Sequence, residues 1–125
     1  MTKNSLGGSA SPAASAKLVL VYDPDAIRAL DLELTAARAF GADVVVTQVN
    51  SIAEALSLAA EIHFFFLDAK AAEDSPGDRA ALDALGDKLV LMSDASAPSG
   101  SIKCRWLQRP ISIGDILPLA NSAGT

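Results

Sequence analysis

The sequence predicts an α/β domain of three layers, in which helices cover both faces of a doubly wound sheet of five parallel strands. Five short apolar runs recur along the chain, and segments with helical spacing separate the first four of them. This alternation is typical of a parallel sheet, because each connection crosses over one face of the sheet. We expect the strand order 2-1-3-4-5 of flavodoxin-like topology. The five runs are LVLVY (18–22), DVVVTQV (43–49), HFFFL (63–67), KLVLM (88–92) and CRWLQ (104–108).

The first helix is predicted between strands one and two. Apolar residues recur there at helical spacing, and Gly41 follows them as a stop signal. A helix that spans residues 27–40 is long enough to connect one parallel strand to the next. The recurring residues are Ile27, Leu30, Leu34, Ala37 and Phe40.

Two further helices are predicted between strands two and four. Ser51 and Glu54 form a capping-box pattern ahead of the first, whose apolar residues lie on one face. Ser75-Pro76 is a start signal for a shorter helix from Asp78 to Leu85. The apolar face of the first of these helices consists of Ile52, Ala55, Leu56 and Ala59.

The helical pattern weakens after strand four. The segment SDASAPSGSIK (93–103) contains Pro98 and Gly100 and has almost no apolar periodicity, so we expect the fourth helix of the fold to be degenerate or absent, with at most one turn over 95–103. After strand five, Ser112 and Asp115 predict a capped, brief last helix. Residues 1–16 are rich in Ser, Ala and Gly and are expected to form a flexible leader, followed by the domain at 17–120 and a tail at 121–125.

Charge and composition exclude several classes of function. A chain of 125 residues that is 50% hydrophobic can form one core, and its formal charge of -5 disfavours binding to nucleic acid. No apolar run approaches the roughly 18 residues of a membrane span, and a single cysteine, Cys104, cannot form an internal disulfide, so we expect a cytoplasmic protein. The sequence contains no P-loop, zinc spacing, nucleophile elbow or HExxH motif. We therefore expect no enzyme, and a flavodoxin-like enzyme is the least favoured interpretation.

The polar residues that could carry function follow the apolar strands. In a doubly wound sheet the functional crevice lies beyond the carboxyl ends of the strands, where strands one and three are neighbours. Asp23 and Asp68 should therefore converge, and a hard cation such as Mg²⁺ could lie between them. Arg109 would bring a counter-charge from strand five. The structural alternatives are that Asp23 caps the first helix, that Asp68 only turns into a loop, and that Arg109 is only a salt-bridge partner.

The same residues resemble the response-regulator receiver domain of two-component signalling, over roughly 17–120. The similar segments are KLVLVYD, FFFLD, LVLMS and the dipeptide RP, where the family has Lys-Pro. The resemblance implies that Asp68 is the phospho-acceptor, that Asp23 helps to hold a metal, that Ser93 is the switch hydroxyl, and that Arg109 replaces the lysine that contacts the phosphoryl group.

The departures from the family pattern indicate an atypical receiver or pseudo-receiver. Tyr22 replaces the first of two adjacent acids, so Asp25 would have to supply the missing Mg²⁺ ligand. Asp94 replaces a very small residue, and Ala72 replaces a proline. The resemblance implies a histidine kinase or phosphotransfer protein as the upstream partner, and a downstream protein or fused output domain. The alternative is a constitutive interaction or localisation module that is never phosphorylated.

Overall fold

The structure is a computed structural model that describes residues 17–95 and 104–123. A five-stranded sheet lies at its centre, all of its paired strands are parallel, and their order is 2-1-3-4-5. The predicted fold class is therefore confirmed, and each strand begins and ends within one residue of the predicted apolar run. The strands are β1 (Lys17–Tyr22), β2 (Val44–Gln48), β3 (Ile62–Asp68), β4 (Leu89–Ser93) and β5 (Arg105–Gln108).

Helices lie on both faces of the sheet. The first begins one residue before the predicted apolar pattern and ends before Gly41, which adopts a φ of 85° that favours glycine. One helix was not predicted, because Asp68 ends β3 and caps the next helix without any intervening turn signal. The helices are α1 (Ala26–Phe40), α2 (Ile52–Leu56), α3 (Ala69–Glu73), α4 (Arg79–Leu85) and α5 (Ile113–Ala123), and short 3₁₀ turns span Pro76–Asp78 and Gly86–Lys88.

The central strand β3 explains the run of three phenylalanines. Phe64 and Phe66 face the core under α1 and α5, whereas Phe65 and Leu67 face the core on the opposite side. Phe65, Phe66 and Leu67 are fully buried, because both faces of a central parallel strand are covered. The run ends at Asp68, where the strand reaches the carboxyl edge of the sheet.

Helix α1 turns an unexpected face toward the sheet. Its buried residues are Ala29, Leu32 and Ala36, whereas the apolar residues that predicted the helix are exposed to different extents. The two alanines have short side chains that let the helix backbone approach the sheet closely. The exposed set includes Ile27, Leu30 and Leu34.

Parts of the predicted organisation lie outside the described residues. These are the leader at 1–16, the last two residues of the tail, and most of the segment 95–103 in which we predicted a degenerate fourth helix. In the ranges that the structure describes, no helix has both the length and the apolar character needed to cross a membrane.

Candidate functional site

One arginine connects the ends of strands β1 and β3. Asp23 directly follows β1, and Asp68 is the last residue of β3, its neighbour in the sheet. The Nη2 atom of Arg109 donates to Asp23 Oδ2 at 2.8 Å and to Asp68 Oδ1 at 2.7 Å. The structure thus brings together the three residues that the strand ends predicted to converge.

The position of Arg109 follows from its backbone. The Arg109 N–H donates to the Ser93 carbonyl oxygen at 2.7 Å, which continues the pairing of β5 with β4 by one residue. The side chain can then reach across the end of β4 to β3 and β1. It is only 14% exposed, so both of its ion pairs with Asp23 and Asp68 are shielded from water.

A second arginine holds Asp23 from the other side. Arg28 Nε lies 3.1 Å from Asp23 Oδ2, and Arg28 Nη2 lies 2.9 Å from Asp23 Oδ1. Arg28 was not among the residues predicted from the sequence, because its partner precedes the helix and no periodic pattern joins the two. One signal was available: Arg28 is a basic residue in the first turn of α1, where the helix dipole favours acids.

Asp23 is buried and almost saturated with hydrogen bonds. Its side chain is 2% exposed, and its Oδ1 also accepts the Asp25 N–H at 2.9 Å. Burial by itself raises the pKa of Asp23, but the hydrogen bonds from Arg28 and the Asp25 N–H, with the charges of Arg109 and Arg28, outweigh it. The pKa of this carboxyl is therefore below its usual value, and Asp23 is ionised at neutral pH.

The lowered pKa of Asp23 predicts how stability depends on pH. A carboxylate whose pKa is lower in the folded state stabilises the fold above its unfolded pKa of about 3.9, and this stability is lost as pH falls through the folded value. We expect Asp23→Asn to be less stable than the parent at pH 7 and to lose less stability between about pH 5 and pH 2. Urea midpoints across this range measure both effects.

The matched control for this experiment is Asp43→Asn, since Asp43 is an exposed acid outside the site. It should keep the parent's pH dependence. If the stability of Asp23→Asn falls with decreasing pH as steeply as that of the parent, the prediction is contradicted.

Asp68 has two structural partners and retains acceptor capacity. Its Oδ1 accepts from Arg109, and its Oδ2 accepts the Ala71 N–H at 3.0 Å as the cap of α3. A carboxylate offers about four lone-pair directions, so these two bonds leave room for others. Asp68 is therefore both a helix cap and a member of the cluster, and its side chain is 8% exposed.

The predicted alternative that Asp23 caps α1 is wrong. The cap is Asp25, whose Oδ1 accepts the N–H groups of Ile27 at 2.9 Å and Arg28 at 3.1 Å. Pro24 and Asp25 form the short connection that carries the chain from β1 into the helix. The reason is geometric: the Asp23 carboxylate turns toward the two arginines and accepts the Asp25 N–H, so the cap shifts by two residues.

The predicted Mg²⁺ ligands do not fit a metal ion in this arrangement. Asp25 is engaged at the helix N-terminus, and both oxygens of Asp23 accept hydrogen bonds from guanidinium groups. Mg²⁺ requires about six oxygen ligands in near-octahedral geometry. Among the described residues, no three or more acidic, histidine or cysteine side chains are placed to hold a metal ion. Two cationic side chains lie against Asp23 where the sequence suggested a cation.

The other predicted residues lie at the edge of the cluster or away from it. Ser93 is the last residue of β4 and lies one residue beyond Met92, which pairs with Asp68. Its Oγ accepts the Ala95 N–H at 3.1 Å. Asp94 is 79% exposed, and its Oδ1 is 3.7 Å from Arg109 Nη1. Tyr22 packs against the core on the face of the sheet that carries Phe65 and Leu67. The residue that replaces a family acid is therefore not part of the arginine-aspartate cluster.

A crevice of about 350 Å³ opens beside the arginine-aspartate cluster. Its polar wall contains both arginines and Asp23, and its apolar wall comes from α1, β4 and the start of the last connection. The crevice therefore gives a ligand or a partner side chain a route to the cluster. The lining residues are Asp23, Arg28, Asp31, Leu32, Met92, Asp94, Arg109, Pro110 and Ile111.

No model of a known protein family matches this chain, and a search of curated proteins found no similar sequence.

Proposed function

We propose that this domain is an atypical receiver that relays a signal in a two-component pathway through protein contacts, with Asp68 as its phospho-acceptor. The observation that carries the proposal is the bridge from Arg109 Nη2 to Asp23 and Asp68 at the carboxyl edge of a sheet with order 2-1-3-4-5. This edge is where doubly wound folds bind ligands. The upstream partner is a histidine kinase or phosphotransfer protein in the cytoplasm, and the output is a downstream protein or a fused domain.

The proposed reaction begins with an Asp68 carboxylate oxygen as nucleophile. It attacks the phosphorus of a phosphohistidine or an acyl phosphate, the bond from phosphorus to the leaving group breaks, and the leaving group takes the electron pair. The product is an acyl phosphate on Asp68. Arg109 already donates to Asp68, so its guanidinium can move onto the phosphoryl oxygens, whereas Arg28 continues to neutralise Asp23.

The resting cluster makes this reaction slow. Arg109 stabilises the Asp68 carboxylate before the phosphodonor arrives, and that stabilisation must be given up on the way to the transition state. Asp94 adds a negative charge within 3.7 Å of the same arginine. Each loss of about 1.4 kcal/mol in transition-state stabilisation slows the reaction tenfold.

Acetyl phosphate tests the proposal directly. We expect partial phosphorylation of the parent over a long incubation and no phosphorylation of Asp68→Asn. Intact mass and a phosphate-affinity gel measure the extent of labelling. Asp74→Asn is the matched control, because Asp74 is an exposed acid at the end of α3, and it should be labelled like the parent. Equal labelling of the parent and Asp68→Asn, or no labelling of either, would contradict a role for Asp68 as acceptor.

One observation favours a second candidate, a constitutive interaction module. Asp23 and Asp68 are already neutralised by Arg28 and Arg109, so the cluster is closed without phosphate or metal. In such a module the cluster would only hold the ends of β1, β3 and β5 together. An absence of phosphate on the parent, with partner binding unchanged in Asp68→Asn, is the result that this candidate predicts.

A further inference from the structure

Helix α1 presents an apolar stripe to solvent. Ile27 is 80% exposed, Leu30 51% and Leu34 57%, and Ala37 is exposed in line with them. Single exposed apolar residues are common, but contiguous apolar surface on a soluble protein marks a contact site. Ala29, Leu32 and Ala36 cover the sheet from the opposite side of the same helix, so the stripe plays no part in the core.

The spacing of the stripe is that of a helix seam. Ile27, Leu30, Leu34 and Ala37 follow one another at intervals of three, four and three residues. These are the intervals of the a and d positions in a coiled coil, where two helices pack their apolar edges together. The stripe therefore fits the side of another helix.

Charges beside the stripe identify that helix and its direction. Glu33 and Arg38 occupy the flanking g and e positions, which contact each other between two parallel copies of α1. A parallel pair would form the Glu33–Arg38 contact twice by symmetry. An antiparallel pair centred on the stripe would instead place Asp31 and Glu33 opposite their own copies, which is repulsive.

Both flanking charges are available for this contact. Within the described part of the chain, Arg38 has no ionic partner, and it is exposed. Glu33 accepts a hydrogen bond from Gln48 Nε2 at 2.8 Å through Oε1, which leaves Oε2 free to accept from a second copy. The Gln48 contact also holds the Glu33 side chain in place before association.

We propose that the exposed stripe of α1 is a self-association surface, on which two copies of this chain pair as parallel helices about a twofold axis. The stripe lies opposite the buried side of α1, so the two domains would lie on opposite sides of the helix pair without overlapping. A 15-residue helix is only about 22 Å long, so the interface is small and the dimer reversible. The proposal does not depend on phosphorylation of Asp68.

Sedimentation velocity tests the pairing over protein concentrations from about 1 μM to about 1 mM. The mass of the parent should rise from one chain to two, and Leu30→Lys should raise the dissociation constant at least about tenfold. Leu117→Lys is the matched control, since Leu117 is an equally apolar, 40% exposed residue on α5, and it should associate like the parent. Circular dichroism of each variant establishes that it remains folded.

A charge exchange tests the orientation. Glu33→Lys should weaken the dimer, and adding Arg38→Glu to the same chain should restore it, because the exchanged charges again attract in a parallel pair. A parent that stays monomeric at the highest concentration would overturn the proposal, as would equal effects of Leu30→Lys and Leu117→Lys. Failure of the double exchange to restore association would overturn the parallel arrangement.

Discussion

Replacing Arg109 by glutamine is expected to lower the free energy of unfolding by about 3 kcal/mol, the usual loss when one partner of a buried ion pair is removed. Asp23 and Asp68 have side chains that are 2% and 8% exposed, and both accept a hydrogen bond from the same Arg109 nitrogen. Glutamine removes that positive charge and leaves two shielded carboxylates facing each other, with only Arg28 to compensate. Urea unfolding at pH 7 measures the loss.

Two further variants separate this effect from the loss of any arginine. Arg79→Gln removes an exposed arginine that lies 3.5 Å from Asp83, and an exposed pair of this type contributes less than about 1 kcal/mol. Adding Asp68→Asn to Arg109→Gln removes one of the two facing charges, so the double variant should be more stable than Arg109→Gln alone. Similar losses for Arg109→Gln and Arg79→Gln would show that the buried bridge does not stabilise the domain.

The sheet and the convergence of its strand ends could be predicted because both depend on local pattern. Buried parallel strands require continuous apolar runs, and their carboxyl ends must meet at one edge. The convergence of Asp68 and Asp23 therefore followed from the predicted strand order, in which β1 and β3 are neighbours. Helix α3 could not be predicted, because Asp68 serves both as the last residue of a strand and as the helix cap.

The orientation of α1 and the role of Arg28 could not be predicted for a shared reason. The helix carries apolar residues on two faces, so its periodicity does not decide which face is buried. The contact between Arg28 and Asp23 requires the face with the two alanines to turn inward, since the opposite rotation would move Arg28 away from the strand ends. This contact depends on three-dimensional position, and no spacing rule in the sequence describes it.

The second large expected effect is on the binding of a divalent cation, which the sequence predicted at Asp23 and Asp68. Arg28 donates to both oxygens of Asp23, and a cation at the same oxygens would meet its positive charge within a few ångströms. We expect the parent to show no saturable response of its amide signals to Mn²⁺ or Mg²⁺ near Asp23 and Asp68. Arg28→Gln should bind Mn²⁺ at least about tenfold more tightly, because a difference of about 1.4 kcal/mol in repulsion is sufficient for that factor.

The control for this experiment must change the net charge equally without opening the site. Arg79→Gln does so, since Arg79 is an exposed arginine on α4, away from the cluster and from the stripe of α1. Mn²⁺ broadens amide signals close to where it binds, so two-dimensional spectra of the three proteins locate the ion, and titrations give its affinity. If Arg28→Gln and Arg79→Gln respond alike, Arg28 does not exclude the cation. Saturable broadening around Asp23 and Asp68 in the parent would show that Mn²⁺ displaces the guanidinium groups, and that the closed cluster is only one of two states of the site.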